Sequence, residues 1–374
     1  MKFYKKTVIT AILFLCYHLV CAQIITGVVC DHSTKLPVSD VYVYLDGTSI
    51  HSITNSSGKF ELVPNSVVNT KLVLHHLSYE TAFIEHPFQK LPDTLFIKSR
   101  LYVMPEITIL ADRFTRKQKM KAFREQFLGM SRAGRSCTIA NEDDIQLRVD
   151  MENRRLLATS DKPIVVVNDY LGYKISFILI DFWVQYGVSV VNLDNDDVHS
   201  SFFSVVSLFI NMVSDNKKIK RRRDNVYENS SNHFFKSWVN DALKDNHFIL
   251  FNRGLPIDYR HYFSIKDTLS QKILSIIPET NYDTSMNTAV TDSPRAASFG
   301  IDKGENMLYT GPDLSGKISV LHRKKARSDI YFMTDFLLID RYGNIDPIDE
   351  IAFGGQMGTN RAGDMLPIDY EPGD

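Results

Sequence analysis

The sequence predicts a mostly β protein with some α-helix, in which an N-terminal antiparallel β-sandwich precedes an α+β, strand-rich part. Short runs of β-branched and aromatic residues recur from residue 24 to 110 between Gly, Pro and Asn turns. Beyond residue 113, helical periodicity and longer apolar strands alternate. The 374 residues are 44% hydrophobic and carry 43 basic and 44 acidic side chains, which excludes disordered, collagen-like and strongly basic nucleic-acid-binding classes.

The first 22 residues have the features of a secretion signal. Three lysines precede an apolar stretch from Val8 to Val20, and short side chains lead to Ala22. We expect cleavage after Ala22 and export to the periplasm, the outer membrane or the cell surface, with no transmembrane segment left in the mature chain. Acylation of Cys21 is the less favoured alternative, because Val20 stands where lipoprotein processing requires Gly or Ala.

Signal removal would leave two cysteines, Cys30 and Cys137. An oxidising compartment would allow one disulfide between them. Because they lie in different predicted domains, two buried free thiols are the favoured interpretation.

The predicted sandwich spans residues 23–111. Lys35-Leu36-Pro37, Asp46-Gly47-Thr48 and Asn55–Gly58 are typical turn sequences between its strands. Strands at this regular spacing can face one core on alternate residues while the turns reverse the chain. The predicted strands are Ile24–Val29, Val41–Leu45, Gly58–Leu62, Lys71–Leu77, Thr81–Ile84, Thr94–Ile97 and Glu106–Leu110.

The turns and strand starts of this segment resemble the carboxypeptidase regulatory-like domain, which is a transthyretin-like β-sandwich. Ser78 replaces a Gly that the family often has before its final Tyr, and His75-His76 interrupts an apolar strand. The residues that carry the resemblance are Ile25–Val29, Asp31, Pro37–Val41, Val43, Leu45–Thr48, Thr54-Asn55, Gly58–Phe60 and Ser78-Tyr79.

The segment Met104–Leu110 is similar to the connector that follows this domain in TonB-dependent outer-membrane receptors. The residues after it are too few for a plug and a large barrel. The architecture therefore resembles the smaller secreted proteins of Gram-negative type that carry the domain without a barrel. Motifs such as Tyr342-Gly343-Asn344 and Asp364–Pro367 extend the resemblance to proteins of unassigned activity.

The rest of the chain is predicted as a helical linker, residues 112–136, and an α+β domain, residues 137–374. Residues 113–130 have the spacing of an amphipathic helix, and Asn232 is placed to cap another whose apolar face includes Phe235 and Val239. The apolar run 202–213 is too short to span a bilayer, so we expect it to pack on the core. The strands predicted here are Ile145–Val149, Leu156–Ser160, Pro163–Val167, Tyr173–Gln185, Val188–Val191, Ile330–Met333, Phe336–Ile339 and Ile348–Phe353.

Sequence motifs identify no catalytic residue, no metal ligand and no cofactor. None of the eleven histidines has Glu three residues later, as a zinc carboxypeptidase requires. The segment Gly311–Lys317 has the spacing of a phosphate loop, but Ile318 replaces the Ser or Thr that would bind magnesium, and the next residues alternate like a strand.

Two sets of residues are candidate binding sites. Tyr227 and His233 flank the start of the predicted helix, and they serve either a structural role or a binding role. A run of six cations in seven residues could contact anionic lipid headgroups, lipopolysaccharide phosphates or nucleic acid; a solvated helix end or loop is the favoured alternative. The six cations are Lys217, Lys218, Lys220, Arg221, Arg222 and Arg223.

These observations favour an exported, non-catalytic binding or scaffolding protein of the cell envelope. We expect a protein or glycan partner there, with an outer-membrane complex as one candidate, and no nucleic-acid partner. The alternative is a hydrolase with an unrecognised site in residues 137–374, which a deep pocket with two converging carboxylates, or with a converging His and carboxylate, would favour.

Overall fold

The computed structural model describes residues 24–100, 113–187, 192–213, 216–268, 270–277 and 317–373. These residues form two compact units. The first contains residues 24–45 and 50–100, and the second contains residues 46–49 and the described residues from 113 onward. Strands dominate both units, as the sequence predicts. Among the described residues, no helix is long and apolar enough to cross a membrane.

The first unit contains two small sheets. One is three-stranded in the order β4-β1-β7, and the other is four-stranded in the order β3-β2-β5-β6. Neighbouring strands are antiparallel except β1 and β7, which are parallel. Its strands are β1 (Ile25–Asp31), β2 (Tyr42–Leu45), β3 (His51–Ile53), β4 (Lys59–Leu62), β5 (Leu72–His75), β6 (Ala82–Ile84) and β7 (Thr94–Ile97).

Alternation along these strands builds the core of the first unit. Val43 and Leu45 from β2 and Leu72 and Leu74 from β5 are buried in one hydrophobic cluster. The predicted sandwich is confirmed, although β3 was not predicted. The predicted strand at Glu106–Leu110 lies outside the described residues.

The first half of the second unit is a six-stranded sheet covered by a helix. Strand β12 pairs with β11 and β10 along one edge, and with β13 along its whole length on the other. The apolar run 202–213, predicted only to pack on the core, belongs mostly to β13. The elements are α1 (Arg116–Phe127), α2 (Arg132–Arg135), β8 (Cys137–Ile139), β9 (Ile145–Asp150), β10 (Arg155–Ser160), β11 (Ile164–Asn168), β12 (Tyr173–Tyr186) and β13 (Val198–Asn211).

Helix α1 forms where the sequence predicts an amphipathic helix. A capping box at Thr115 starts it, with Gln118 as the reciprocal partner. Phe123 and Phe127 are fully buried in the core beneath the sheet. The helix of the predicted linker is therefore part of the second unit's core; the predicted boundaries at residues 112 and 137 remain predictions.

The second half of the second unit contains a five-stranded sheet, β15-β14-β18-β19-β22, and a four-stranded sheet, β16-β17-β20-β21. Trp238 is fully buried in the core that these sheets share. The elements are α3 (Lys217–Tyr227), α4 (Ser231–Val239), β14 (Phe248–Asn252), β15 (Leu255–Pro256), β16 (Phe263–Asp267), β17 (Lys272–Ile276), β18 (Lys317–His322), β19 (Ala326–Phe332), β20 (Phe336–Ile339), β21 (Ile345–Asp346), β22 (Ile351–Gly354) and α5 (Gly355–Gly358).

Two further sequence predictions concern residues outside the described part of the chain. These are the strand at 188–191 and residues 311–316 of the phosphate-loop-like segment. Lys317 itself begins β18, and Ile318 is fully buried, so the strand predicted after that Lys is confirmed.

Candidate functional site

Helix α4 positions one of the two polar residues that the sequence singles out. Ser230, not Asn232, caps this helix, because its hydroxyl accepts a hydrogen bond from the His233 N–H at 3.1 Å. The predicted cap at Asn232 is therefore wrong. The Asn232 side-chain amide instead donates to the Asn344 side-chain oxygen.

Tyr227 and His233 lie together, as their places on either side of the helix start suggest. Their ring centroids are 5.3 Å apart. Tyr227 is the last residue of α3 and is only 6% exposed. The Asn229 backbone N–H donates to His233 Nδ1 at 3.1 Å. This bond makes Nδ1 an acceptor and puts the proton of a neutral ring on Nε2.

A second histidine, His322, completes the site and was missed by sequence reasoning. Its ring centroid lies 5.9 Å from that of His233, and Phe248 contacts both imidazoles at 4.6 and 5.0 Å. His322 ends β18 and is 4% exposed. Its only sequence signal is that it follows an alternating apolar strand and precedes a basic turn. Tyr227, His233, Phe248 and His322 are hereafter called the histidine cluster.

Burial controls the charge of the histidine cluster. It lowers the pKa of His233 and of His322, and the nearby carboxylate of Glu228 opposes this effect only in part. Burial also raises the pKa of Tyr227 above its usual range. All three side chains are therefore uncharged at neutral pH.

Glu228 lies at the edge of the cluster. Its Oε1 is 3.9 Å from His322 Nε2, which is too long for a hydrogen bond, and Nε2 is a buried nitrogen without a hydrogen-bond partner. The same carboxylate forms an ion pair with Arg323. Among the described residues, no group of three or more metal-ligating side chains converges here or elsewhere.

The predicted basic run forms helix α3, which Asn216 caps. The favoured prediction of a solvated helix end or loop is therefore incomplete, because the run occupies most of an ordered helix. Lys217, Lys218 and Arg221 are exposed and lie within about one turn of each other. Only these three cations of the run are free to meet an anionic surface.

The other cations of the run bind within the second unit. Arg223 is buried, and its guanidinium donates to the carbonyls of Leu171 and Gly172 and to the Asn211 side chain, at 2.7 to 3.2 Å. It also lies 3.8 Å from the ring centroid of Tyr173.

Two more of these cations bind backbone carbonyls. Arg222 donates to the Tyr170 carbonyl and lies over its ring. Lys220 Nζ donates to the Gly373 carbonyl at 2.6 Å. Half of the predicted anionic-surface residues are thus engaged in intramolecular contacts.

A serine and a carboxylate meet elsewhere in the second unit. The Ser131 hydroxyl donates to Asp364 Oδ1 at 2.5 Å and accepts from the Gly134 N–H at 2.9 Å. Burial raises the pKa of Asp364. Ser131 therefore caps helix α2 and connects it to Asp364.

Cys30 and Cys137 are free thiols. Burial raises the pKa of Cys137 to about 12, so this thiol is protonated at neutral pH and is a poor nucleophile. Cys30 is buried in the first unit.

The first unit matches a known family. Residues 25–100 match the family model of the CarboxypepD_reg-like domain, which confirms the predicted carboxypeptidase regulatory-like sandwich. No curated protein matches the chain significantly. The match does not extend beyond residue 100, so it does not include the histidine cluster or helix α3.

Proposed function

Because the chain contains a CarboxypepD_reg-like domain, we propose that it is an exported, non-catalytic binding or scaffolding protein of the cell envelope. The presence of this domain as a compact unit with its own core is the observation that carries the proposal. The function of such a sandwich depends on the residues that its surface presents and not on the fold itself. Export rests on the signal-like residues 1–22, which lie outside the described residues.

The outer face of the β4-β1-β7 sheet offers a contact surface. Thr26 lies opposite Glu61, and Val28 lies between Lys59 and Thr94. Apart from Val28, these side chains are exposed. A surface cleft of about 590 Å³ is lined in part by residues of this face, which are Thr26, Val28, Lys59 and Glu61. Mixed charge, hydroxyl and aliphatic groups of this kind are typical of the rim of a protein or glycan interface.

Three polar groups of the second unit support the non-catalytic assignment. His233 Nδ1, the Ser131 hydroxyl and the Arg223 guanidinium each hold a backbone or side-chain partner inside the protein. A nitrogen that already accepts a hydrogen bond, as His233 Nδ1 does, can take a proton as a general base only if that bond is broken. These groups therefore act as structural connections.

Affinity capture tests the proposal. The mature chain, tagged at its C-terminus, would be recovered from the envelope fraction beside two variants, Thr26→Arg on the proposed face and Lys217→Glu on the basic helix. We expect the unmodified chain and Lys217→Glu to recover the same envelope partner, and Thr26→Arg to lose it. Recovery of the chain alone, or equal recovery by Thr26→Arg, would contradict the proposal. Sequencing of the mature N-terminus is expected to begin at Gln23.

A hydrolase remains the second candidate, because His322 Nε2 and Glu228 Oε1 lie 3.9 Å apart. A screen of peptide and glycan substrates addresses it. Turnover that disappears in His322→Gln, while partner capture is unchanged, would favour the hydrolase. If the unmodified chain and His322→Gln show the same background rate, the non-catalytic binding function is favoured.

A further inference from the structure

A surface cleft of about 410 Å³ lies next to the histidine cluster in the second unit. Four of the side chains around it carry basic groups, and all four residues are exposed. Phe248 and Ile249 form the apolar part of its wall. The complete lining is Lys244, His247, Phe248, Ile249, Arg323 and Lys324.

His247 occupies a backbone position that normally favours glycine. Its φ is +61°, in the left-handed region. The Phe248 N–H donates to the Leu243 carbonyl, and the His247 N–H donates to the Lys244 carbonyl. This pair of bonds is the Schellman pattern, in which the left-handed residue is usually Gly.

The turn between β18 and β19 also has basic residues at left-handed positions that usually hold Gly or Asn. The Lys325 N–H donates to the His322 carbonyl at 3.0 Å, and the two central residues, Arg323 and Lys324, have φ values of +47° and +58°. Hairpin turns with two left-handed residues strongly favour Asn-Gly. Basic side chains occupy both positions here.

Three left-handed positions thus carry basic side chains that line one cleft. At each of these positions the fold is less stable with the residue present than it would be with Gly. Residues held in such conformations concentrate at functional sites. The charges are also incompletely compensated. Glu228 pairs with Arg323, whereas the described residues contain no ion pair with Lys244 or Lys324.

We propose that this cleft binds a phosphate monoester. Such a group carries a charge of about −1.5 to −2 and three acceptor oxygens at neutral pH. Arg323 offers a planar fork of donors, and Lys244 and Lys324 offer point charges around it. The apolar wall accommodates the body that carries the phosphate. This ligand site goes beyond the proposed scaffolding role and does not involve the sandwich face.

Calorimetric titration of the full mature chain with inorganic phosphate and with glucose 6-phosphate tests the proposal. We expect saturable binding of both, with glucose 6-phosphate the tighter. Lys324→Gly should weaken binding at least fivefold, because a charge is lost. The same variant should leave Tm unchanged or higher, because Gly suits the left-handed turn.

Lys35→Gly is the matched control. Lys35 belongs to the first unit, does not line the cleft and has a φ of +60°, so the variant makes the same change in charge and backbone freedom. It should bind both probes as the unmodified chain does. Equal weakening in Lys35→Gly, unchanged affinity in Lys324→Gly, or no binding of either probe by the unmodified chain would each overturn the proposal.

Vesicle binding distinguishes the source of the phosphate. If the unmodified chain sediments with phosphatidylcholine vesicles that contain phosphatidic acid, and Lys324→Gly does not, the phosphate that binds is a lipid headgroup. Binding of soluble glucose 6-phosphate without sedimentation would identify a soluble phosphomonoester. Both results support the phosphate-binding cleft. Neither depends on partner capture through Thr26, so the proposed cleft and the proposed scaffolding function can fail independently.

Discussion

Replacing Arg223 by Ala removes the buried cation that connects helix α3 to the sheet of the second unit. The guanidinium makes three hydrogen bonds and lies over the Tyr173 ring. Ala would leave the Leu171 and Gly172 carbonyls and the Asn211 side chain without this donor. The substitution therefore tests whether this member of the basic run is structural.

The expected loss follows from these contacts. A hydrogen bond from a charged donor contributes about 1.5 to 3 kcal/mol, and a cation–π contact contributes about 0.5 to 2 kcal/mol. The mutant recovers about 2 kcal/mol of side-chain entropy and avoids desolvating a charge. We therefore expect Arg223→Ala to lower the free energy of unfolding by about 3 kcal/mol. For a unit of this size, that loss lowers Tm by roughly 6 to 12 °C.

Thermal and urea unfolding, followed by circular dichroism, measure this effect. Arg221→Ala is the matched control, because Arg221 is an exposed cation on the same helix, and it should change stability by less than about 0.5 kcal/mol. Arg223→Lys should be intermediate, since Lys keeps the charge without the fork of donors. If Arg223→Ala proves as stable as Arg221→Ala, the structural role assigned to Arg223 is wrong.

Three further predictions concern the second unit. Gly343→Ala should lower the free energy of unfolding by about 3 kcal/mol, because the added Cβ would lie 2.1 Å from the Asn232 carbonyl oxygen. Gly254→Ala is the control: it has a similar φ but no atom within 4 Å, so it should lower that free energy by only about 1 kcal/mol. Urea unfolding measures both variants. Burial lowers the pKa of His322 in the folded state. The stability that the neutral ring contributes is therefore fully present above the ordinary pKa near 6.5, and it is lost as the pH falls from there through the lower folded pKa. His322→Phe keeps the ring and should reduce the fall in Tm between pH 7.5 and 5; an unchanged fall would refute this role. Burial raises the pKa of Asp369 to about 6, so the fold loses stability as the pH rises from the ordinary value near 4 to about 6, and the loss is complete above pH 6. Asp369→Asn should add about 2 kcal/mol at pH 8 and progressively less toward pH 4, and a constant difference between the two pH values would contradict the assignment.

Much of the fold could be predicted from local sequence. The strands at Thr94–Ile97 and Phe336–Ile339 have the predicted bounds, because alternation and flanking turn residues define both ends. The long strand at Tyr173 was also predicted. Its partner β13 was not, because its first residues, including Val198–Ser201, are largely polar and gain strand structure from pairing with β12.

The candidate site was only partly predictable. Tyr227 and His233 are close in sequence, so a turn between two helices is enough to bring them together. His322 is far away in sequence and reaches them only because β18 pairs with β14 beside helix α4. The cap at Ser230 was missed because Ser and Asn are nearly equivalent as caps, and the choice depends on which side chain finds another partner.

By itself, the sequence determined the β-sandwich and its family, since the periodicity and turn residues that define them are local. Tertiary structure decided which charges remain available. Lys217 and Arg223 are members of one basic run, yet helical geometry turns Lys217 to solvent and Arg223 toward the Leu171 and Gly172 carbonyls. Tertiary structure also assembled the basic cleft from Lys244 and Lys324. Those contacts depend on strand pairing between distant segments, which local patterns do not specify.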